Sequence, residues 1–288
     1  MSFEGSLVPI ITPFREGRLD RDGLERVIEH VLAGGSDGLI PCGTTGESAT
    51  LTHEEHEQII GWTIEIARKR VPVIAGTGSN STAEAIRLTK SAKQAGADGA
   101  LLISPYYNKP TQEGIYRHYA AVAEAVRPLP LIVYNIPART GSKIEAATLA
   151  RLATVSNVVG VKEASGSMEQ VFEVIAQAGR GFALYSGEDS LNFPILAAGG
   201  KGLISAVANV APKPLAEMAR AGREGRWEDA RRIHFELMPL VHACFLETNP
   251  IPVKTACSLL GLCGAEMRLP LTPIGEGNLA KLRQALKL

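Results

Sequence analysis

The stretch Ala33-Gly34-Gly35-Ser36-Asp37-Gly38-Leu39-Ile40 returns as Ala95-Gly96-Ala97-Asp98-Gly99-Ala100-Leu101-Leu102, and again as Ala198-Gly199-Gly200-Lys201-Gly202-Leu203-Ile204. In each copy a helical pattern stops at a glycine, which takes the left-handed position past the last turn, and a short apolar strand begins a few residues on. Helix, glycine, strand, repeated, marks βα units and a parallel sheet. Outward from these copies, strand candidates fall at Leu7–Thr12, Gly38–Pro41, Pro72–Ala75, Ala100–Ile103, Leu131–Tyr134, Val158–Lys162, Ala183–Ser186 and Gly202–Ser205. Helical patterns separate them, for example Thr82–Gln94, Gln112–Val126 and Ser167–Ala178. Eight βα units in about 225 residues predict an α/β fold, a (β/α)8 TIM barrel.

From about Trp227 onward the pattern is helical throughout: Trp227–Leu240, Ile251–Leu260 and Ile274–Leu288. The expected organisation is a catalytic barrel over residues 1–226 and a C-terminal helical domain over residues 227–288. No Pro/Ser-rich linker divides them, so they are expected to move as one body.

Of the 288 residues 45% are hydrophobic, which suits a large core, and 30 basic residues balance 30 acidic ones. With zero formal charge and no Lys/Arg block, nucleic acid and anionic membrane are poor candidates as partners. The start, Met1-Ser2-Phe3-Glu4-Gly5, lacks the basic and long apolar regions of a signal peptide, and no apolar stretch approaches the ~20 residues of a membrane span. Cys42, Cys244, Cys257 and Cys263 form no CxxC pair and no zinc-finger spacing with histidine. They read as buried free thiols, and the expected compartment is the cytoplasm.

In a TIM barrel the chemistry sits at the C-terminal ends of the strands and in the loops beyond them. Here those positions carry Gly43-Thr44-Thr45-Gly46-Glu47, Ser104-Pro105-Tyr106-Tyr107-Asn108, Tyr134-Asn135-Ile136-Pro137, Lys162-Glu163 and Gly187-Glu188-Asp189. Lys162 closes the run Asn157-Val158-Val159-Gly160-Val161, a strand with no solvated face. Its ammonium must be paired, lie in a pocket, or bear a desolvation cost that lowers its pKa. A lysine made neutral near pH 7 forms Schiff bases with carbonyl substrates. The alternative is a strand-end lysine that snorkels to solvent. The polar and aromatic groups converging at the same end of the barrel favour catalysis.

Each neighbour of Lys162 also admits two readings. Thr44 and Thr45, between glycines, can hold a carboxylate or oxyanion, or simply make a turn. Tyr134, on the adjacent strand, can relay protons beside the amine, or be a buried tyrosine bonded to backbone. Arg139 offers a fork for a carboxylate, or is a solvated loop charge.

Two patterns are set aside. Gly76-Thr77-Gly78-Ser79-Asn80-Ser81 opens a helix as a dinucleotide loop does, but the third glycine is missing and no acidic residue ends the next strand. His53 and His56 lack the spacing and third ligand of a metal site. Thr52-x-x-Glu55 reads as a capping box, which puts both histidines in a first helical turn, at the surface. No metal ligand set is assigned.

Four segments, Gly43–Ser48, Pro105–Pro110, Tyr134–Gly141 and Gly160–Ala164, together resemble the pyruvate-dependent class I aldolase family of lysine biosynthesis, its dihydrodipicolinate synthase branch above all. The resemblance runs over essentially the whole chain and is weakest in the C-terminal helices. It implies that Lys162 is the Schiff-base lysine and that Thr44, Tyr107 and Tyr134 form a proton relay, Tyr107 reaching across a subunit interface. It further implies that Thr45 binds the pyruvate carboxylate, Ile204 lines the pyruvate pocket, and Arg139 receives the carboxylate of the second substrate. The implied substrates are pyruvate and L-aspartate 4-semialdehyde, with no cofactor, in a homotetramer. Regulated relatives imply an L-lysine effector site at Ser48, Ala49, His53, His56, Asn80, Glu84 and Tyr106. For Glu84 the sequence offers a competing role, since Ser81-x-x-Glu84 also reads as a capping box. Pro9 departs from the small residue usual in that strand. The rival activity within the family is a sugar-acid lyase, of the N-acetylneuraminate or 2-keto-3-deoxygluconate kind, disfavoured by Arg139 and the paired threonines. A non-catalytic ligand-binding barrel would have lost Lys162 or Tyr134.

Overall fold

Gly5–Pro9 (β1), Gly38–Ile40 (β2), Ile74–Gly76 (β3), Gly99–Ile103 (β4), Leu131–Asn135 (β5), Val158–Glu163 (β6), Ala183–Ser186 (β7) and Gly202–Ile204 (β8) pair in parallel, in the order β2-β1-β8-β7-β6-β5-β4-β3. A bridge between Leu39 and Val73 joins β2 to β3 and completes the circle. Residues 3–288 are described by a computed structural model; Met1-Ser2, part of the signal-peptide reading, lie outside the described residues. Around the strands run Arg21–Ala33 (α1), His53–Ala67 (α2), Thr82–Ala95 (α3), Gln112–Val126 (α4), Ala146–Leu152 (α5), Met168–Ala178 (α6), Asn192–Ala197 (α7) and Pro212–Arg223 (α8). The result is the (β/α)8 barrel.

The period of two along each strand divides its side chains between two cores. Leu7, Ile40, Ile74, Leu101, Ile132, Tyr134, Tyr185 and Ile204 form one cluster, the barrel interior. Their immediate neighbours Val8, Leu39, Ala75 and Leu203 join one outer cluster with the helices, and Leu102, Val133, Val161 and Leu184 join the other. Val161 faces the helices, so Lys162, the next residue, faces the interior.

β1 shows the largest displacement from its expected position. It starts at Gly5 because Gly5 to Leu7 pair in register with Gly202 to Ile204. The left-handed stops occur at Gly96 (φ 96°) and Gly199 (φ 110°), whereas in the first copy the stop is Gly35 (φ 83°). Gly34 is needed for close approach instead, since a Cβ there would lie 2.5 Å from the Pro212 ring. A hairpin of two-residue strands, Phe14–Arg15 and Arg18–Leu19, was not foreseen.

The C-terminal part comprises Trp227–Cys244 (α9), Ile251–Leu259 (α10) and Glu276–Leu286 (α11). Ile233, Leu237, Val241, Val253, Ala256 and Leu282 from these helices belong to the same cluster as Val8, Ile10 and Leu24 of the barrel. One continuous apolar core therefore underlies both parts. Among the described residues no helix is long and apolar enough to cross a membrane. All four cysteines are free and buried.

Candidate active site

Strand register brings the central pair together. Tyr134 of β5 lies opposite Lys162 of β6, and Lys162 lies opposite Tyr185 of β7. The Lys162 amine sits 4.3 Å from the centre of the Tyr134 ring. Only 6% of Lys162 is exposed, and among the described residues it makes no ion pair. Burial pulls its pKa down to about 8, opposed by the nearby Asp189 carboxylate. Neither sequence alternative of pairing or snorkelling is realised: the lysine is buried in the barrel interior, with its neutral form within reach of ordinary pH. Burial also raises the Tyr134 phenol, to about 12, opposed by the Arg139 guanidinium and the Thr44 hydroxyl.

Space beside the lysine is kept by Gly187, where a Cβ would come within 2.8 Å of Lys162 Cε and Cγ. Asp189 is buried among the Ser205 hydroxyl, the Asn192 amide and the Val207 N–H, all of which donate to its carboxylate. The sequence marked Gly187-Glu188-Asp189 only as a strand end; the register is what sets Gly187 against Lys162.

Thr44 and Thr45 lie in a single 3-10 turn after β2, Thr44 half-buried and Thr45 buried. The turn closes through Gly46 N–H and Glu47 N–H, which donate to the Gly43 and Thr44 carbonyls. Arg139 lies in the helical turn Pro137–Thr140 after β5 and is exposed, with Nη2 donating to the Asn249 carbonyl at 2.9 Å. Among the described residues it forms no ion pair, and it lines the cavity. Ile204, 1% exposed, belongs to the interior cluster that holds Tyr134. Tyr107 is set apart from all of these. Its backbone is left-handed (φ 73°) and 88% of the residue is exposed.

A cavity of about 490 Å³ opens over the barrel mouth, lined by Thr44, Tyr134, Arg139 and Asn249. Its wall continues through Ser48, Ala49, His53, His56, Glu84 and Tyr106, so most of the implied effector residues share it. Asn80 joins them through its amide, which donates to the Tyr106 carbonyl at 3.2 Å.

Two sequence readings need correction here. His56 is not at the surface but 5% exposed, its Nε2 bonded to the Gly76 carbonyl at 2.8 Å, because α2 turns that face onto β3. The capping box at Thr52 and Glu55 forms in full. At α3 only half of one forms: Ser81 accepts from Glu84 N–H, but the Glu84 carboxylate goes to the Ser79 hydroxyl and to His53 Nε2. His53 is thus Glu84's partner across two helices and is largely exposed.

Asn249 and Lys254 were not singled out from sequence. The Asn249 amide donates to Thr45 Oγ1 at 3.0 Å. Lys254 is fully buried, 2.5 Å from Glu47 Oε1. A lysine inside the apolar run Ile251–Leu259 carries the same signal that marked Lys162, and could have been read the same way.

Comparisons with known proteins give the family. The profile of the Dihydrodipicolinate synthetase family matches residues 2–288. The chain belongs to that family. A relative from Syntrophus aciditrophicus, named 4-hydroxy-tetrahydrodipicolinate synthase, is 53% identical over 285 residues, covering 99% of this chain and 98% of the relative. The dihydrodipicolinate synthase structure from Aquifex aeolicus superposes with a TM-score of 0.97 at 49% identity, covering 99% of this chain and 97% of that one. The structure from Cyanidioschyzon merolae, described with lysine bound, gives a TM-score of 0.96 at 41% identity, with 99% and 97% covered. Family membership and the interior lysine point to one chemistry, that of a class I aldolase-type lyase.

Proposed function

We propose that this chain condenses pyruvate with L-aspartate 4-semialdehyde through a Schiff base, giving 4-hydroxy-tetrahydrodipicolinate for lysine and diaminopimelate biosynthesis. One observation carries the reading: a buried, ion-pair-free Lys162 beside Tyr134, in a chain whose relatives at about 53% identity bear that enzyme's name.

The neutral Lys162 amine adds to the pyruvate ketone, and Tyr134 carries the proton that lets water leave. Thr44, which shares the cavity wall with Tyr134, passes that proton on. The protonated imine loses a methyl proton to become an enamine, whose carbon attacks the aldehyde. The amino group of the second substrate then displaces Lys162 and closes the ring. The imine is itself the electron sink, so the chemistry asks for no metal or organic cofactor. Thr45 holds the pyruvate carboxylate, Ile204 the apolar side of its pocket, and Arg139 the carboxylate of the aldehyde. A cytoplasmic setting suits both the free thiols and the substrates.

The test is pyruvate consumption. Pyruvate disappears with L-aspartate 4-semialdehyde present and not with N-acetylmannosamine or glyceraldehyde, the aldehydes that N-acetylneuraminate and 2-keto-3-deoxygluconate cleavage would release. The opposite preference would make the chain a sugar-acid lyase.

Tyr107 completes the relay from a neighbouring subunit, in a homotetramer built from two-fold dimers. Its near-total exposure in the single chain suits a side chain whose target lies elsewhere. Tyr107→Phe is expected to lower kcat about a hundredfold with the fold intact, read by steady-state kinetics beside sedimentation velocity. A fully active monomer would rule this role out.

L-Lysine is the proposed effector, held at Ser48, Ala49, His53, His56, Asn80, Glu84 and Tyr106. The Glu84 carboxylate, kept below its usual range mainly by the Ser79 hydroxyl and also by His53, is a ready partner for an ammonium. Calorimetry should show lysine binding to the parent chain, and a loss of about tenfold or more in Glu84→Ala, since hydrogen bonds to charged groups carry such factors. Unchanged binding in the variant, or none in the parent at millimolar lysine, would end the proposal.

A further inference from the structure

Asn249 stands between α9 and α10, more than 200 positions along the chain from Thr45, and is 8% exposed. Its side-chain Nδ2 donates to Thr45 Oγ1 at 3.0 Å, and its main-chain carbonyl accepts from Arg139 Nη2 at 2.9 Å. One residue of the C-terminal helices therefore touches both groups to which the proposed function gives a substrate carboxylate. Five residues on, Lys254 grips Glu47, two positions past Thr45, so the segment meets the threonine turn at two points.

A threonine hydroxyl has one proton and two lone pairs. A donor held against one lone pair leaves the proton with no claim on it from Asn249. Thr45 is buried just behind the cavity wall formed by Thr44 and Asn249, and the acceptor that the proposed function brings to that proton is the pyruvate carboxylate. An acceptor in the same place would take the proton for itself and turn a lone pair towards the carboxylate, which is repulsive. The chemistry of the Asn249 amide thus sets how well the Thr45 hydroxyl can bind an anion.

We infer that Asn249 is a positioning residue for the pyruvate carboxylate, acting through the orientation of the Thr45 hydroxyl. The inference rests on the pyruvate reading and adds to it a residue outside the barrel. It makes a specific division: the side chain of Asn249 serves pyruvate, while its backbone carbonyl, which no substitution removes, steadies Arg139 for the second substrate.

The experiment uses the full chain and follows borohydride trapping of pyruvate on Lys162 as a function of pyruvate concentration. Asn249→Ala is expected to raise the half-saturating pyruvate concentration about tenfold, the factor appropriate to a hydrogen bond that orients a charged contact. The maximal trapping rate and the KM for L-aspartate 4-semialdehyde should stay within about twofold. Asn249→Asp, nearly the same shape but an acceptor only, should be worse than alanine at pH 8, and its deficit relative to the parent at the same pH should shrink as its carboxyl protonates at lower pH. In a Thr45→Val background Asn249→Ala should change nothing further, because the two residues act as one unit. Additive effects of the two substitutions would overturn the inference. So would an aspartate variant that binds pyruvate as the parent does, or a loss falling equally on both substrates together with a lowered unfolding midpoint. If the parent chain itself traps no pyruvate, the underlying functional reading fails, and this inference with it.

Discussion

Lys162→Met is expected to lose the condensation activity by about 10³-fold or more, since removing a covalent nucleophile leaves only binding and orientation behind. Methionine fills most of the lysine's volume without its charge, so the fold should survive. The unfolding midpoint should not fall, because the interior no longer has to accommodate an ionisable group without an ion-pair partner. Steady-state assays beside thermal unfolding check both halves. A variant within tenfold of the parent would remove Lys162 from the mechanism.

The pH dependence follows from the same residue. The neutral amine is the nucleophile, and its pKa is drawn down to about 8 by burial. Below that value the amine is protonated, so kcat/KM for pyruvate should fall about tenfold for each pH unit on the acid side. It should level off above about 8. A profile that keeps rising to the ordinary lysine range near 10.4 would show that burial does not tune this amine.

The second large effect concerns Lys254. Its side chain and that of Glu47 are 0% and 1% exposed, 2.5 Å apart, and the amine lies 4.2 Å from the centre of the Phe14 ring. Glu47 also accepts from Arg268 N–H, and the Arg268 guanidinium holds Glu55 with two bonds of 2.6 Å. Removing one partner of a buried pair strands the other charge, at a cost of about 3–5 kcal/mol. Lys254→Met should show that loss in urea unfolding. Glu47→Gln combined with Lys254→Met should recover most of it, since two neutral groups can then share the space. A Lys254→Met chain as stable as the parent would mean that the pair contributes nothing to holding the helices on the barrel.

The two buried lysines show how far sequence reading reaches. Each sits in an apolar segment, and that alone marks it as unusual. What separates them is the partner, and partners are tertiary: Glu47 is 207 positions from Lys254, while Lys162 has an aromatic face and no carboxylate bonded to it. The barrel strands were legible because strands buried on both faces read as short, continuous apolar runs between glycine stops. The hairpin at Phe14–Leu19 was not, because two-residue strands are too short to show a period. His56 was misplaced because a first-turn position looks solvated until the helix is docked, and docking turned it onto the Gly76 carbonyl. Asn249 gave no local signal, since an asparagine before a proline reads simply as a turn.

The account stands or falls on where pyruvate attaches. The intact chain is incubated with pyruvate and borohydride, digested, and its peptides weighed. The account predicts one reduced pyruvyl group per subunit, on the peptide carrying Lys162, and protection of that site when L-aspartate 4-semialdehyde turns the imine over before reduction. An unlabelled Lys162, or a label on Lys254 or any other lysine, would contradict it.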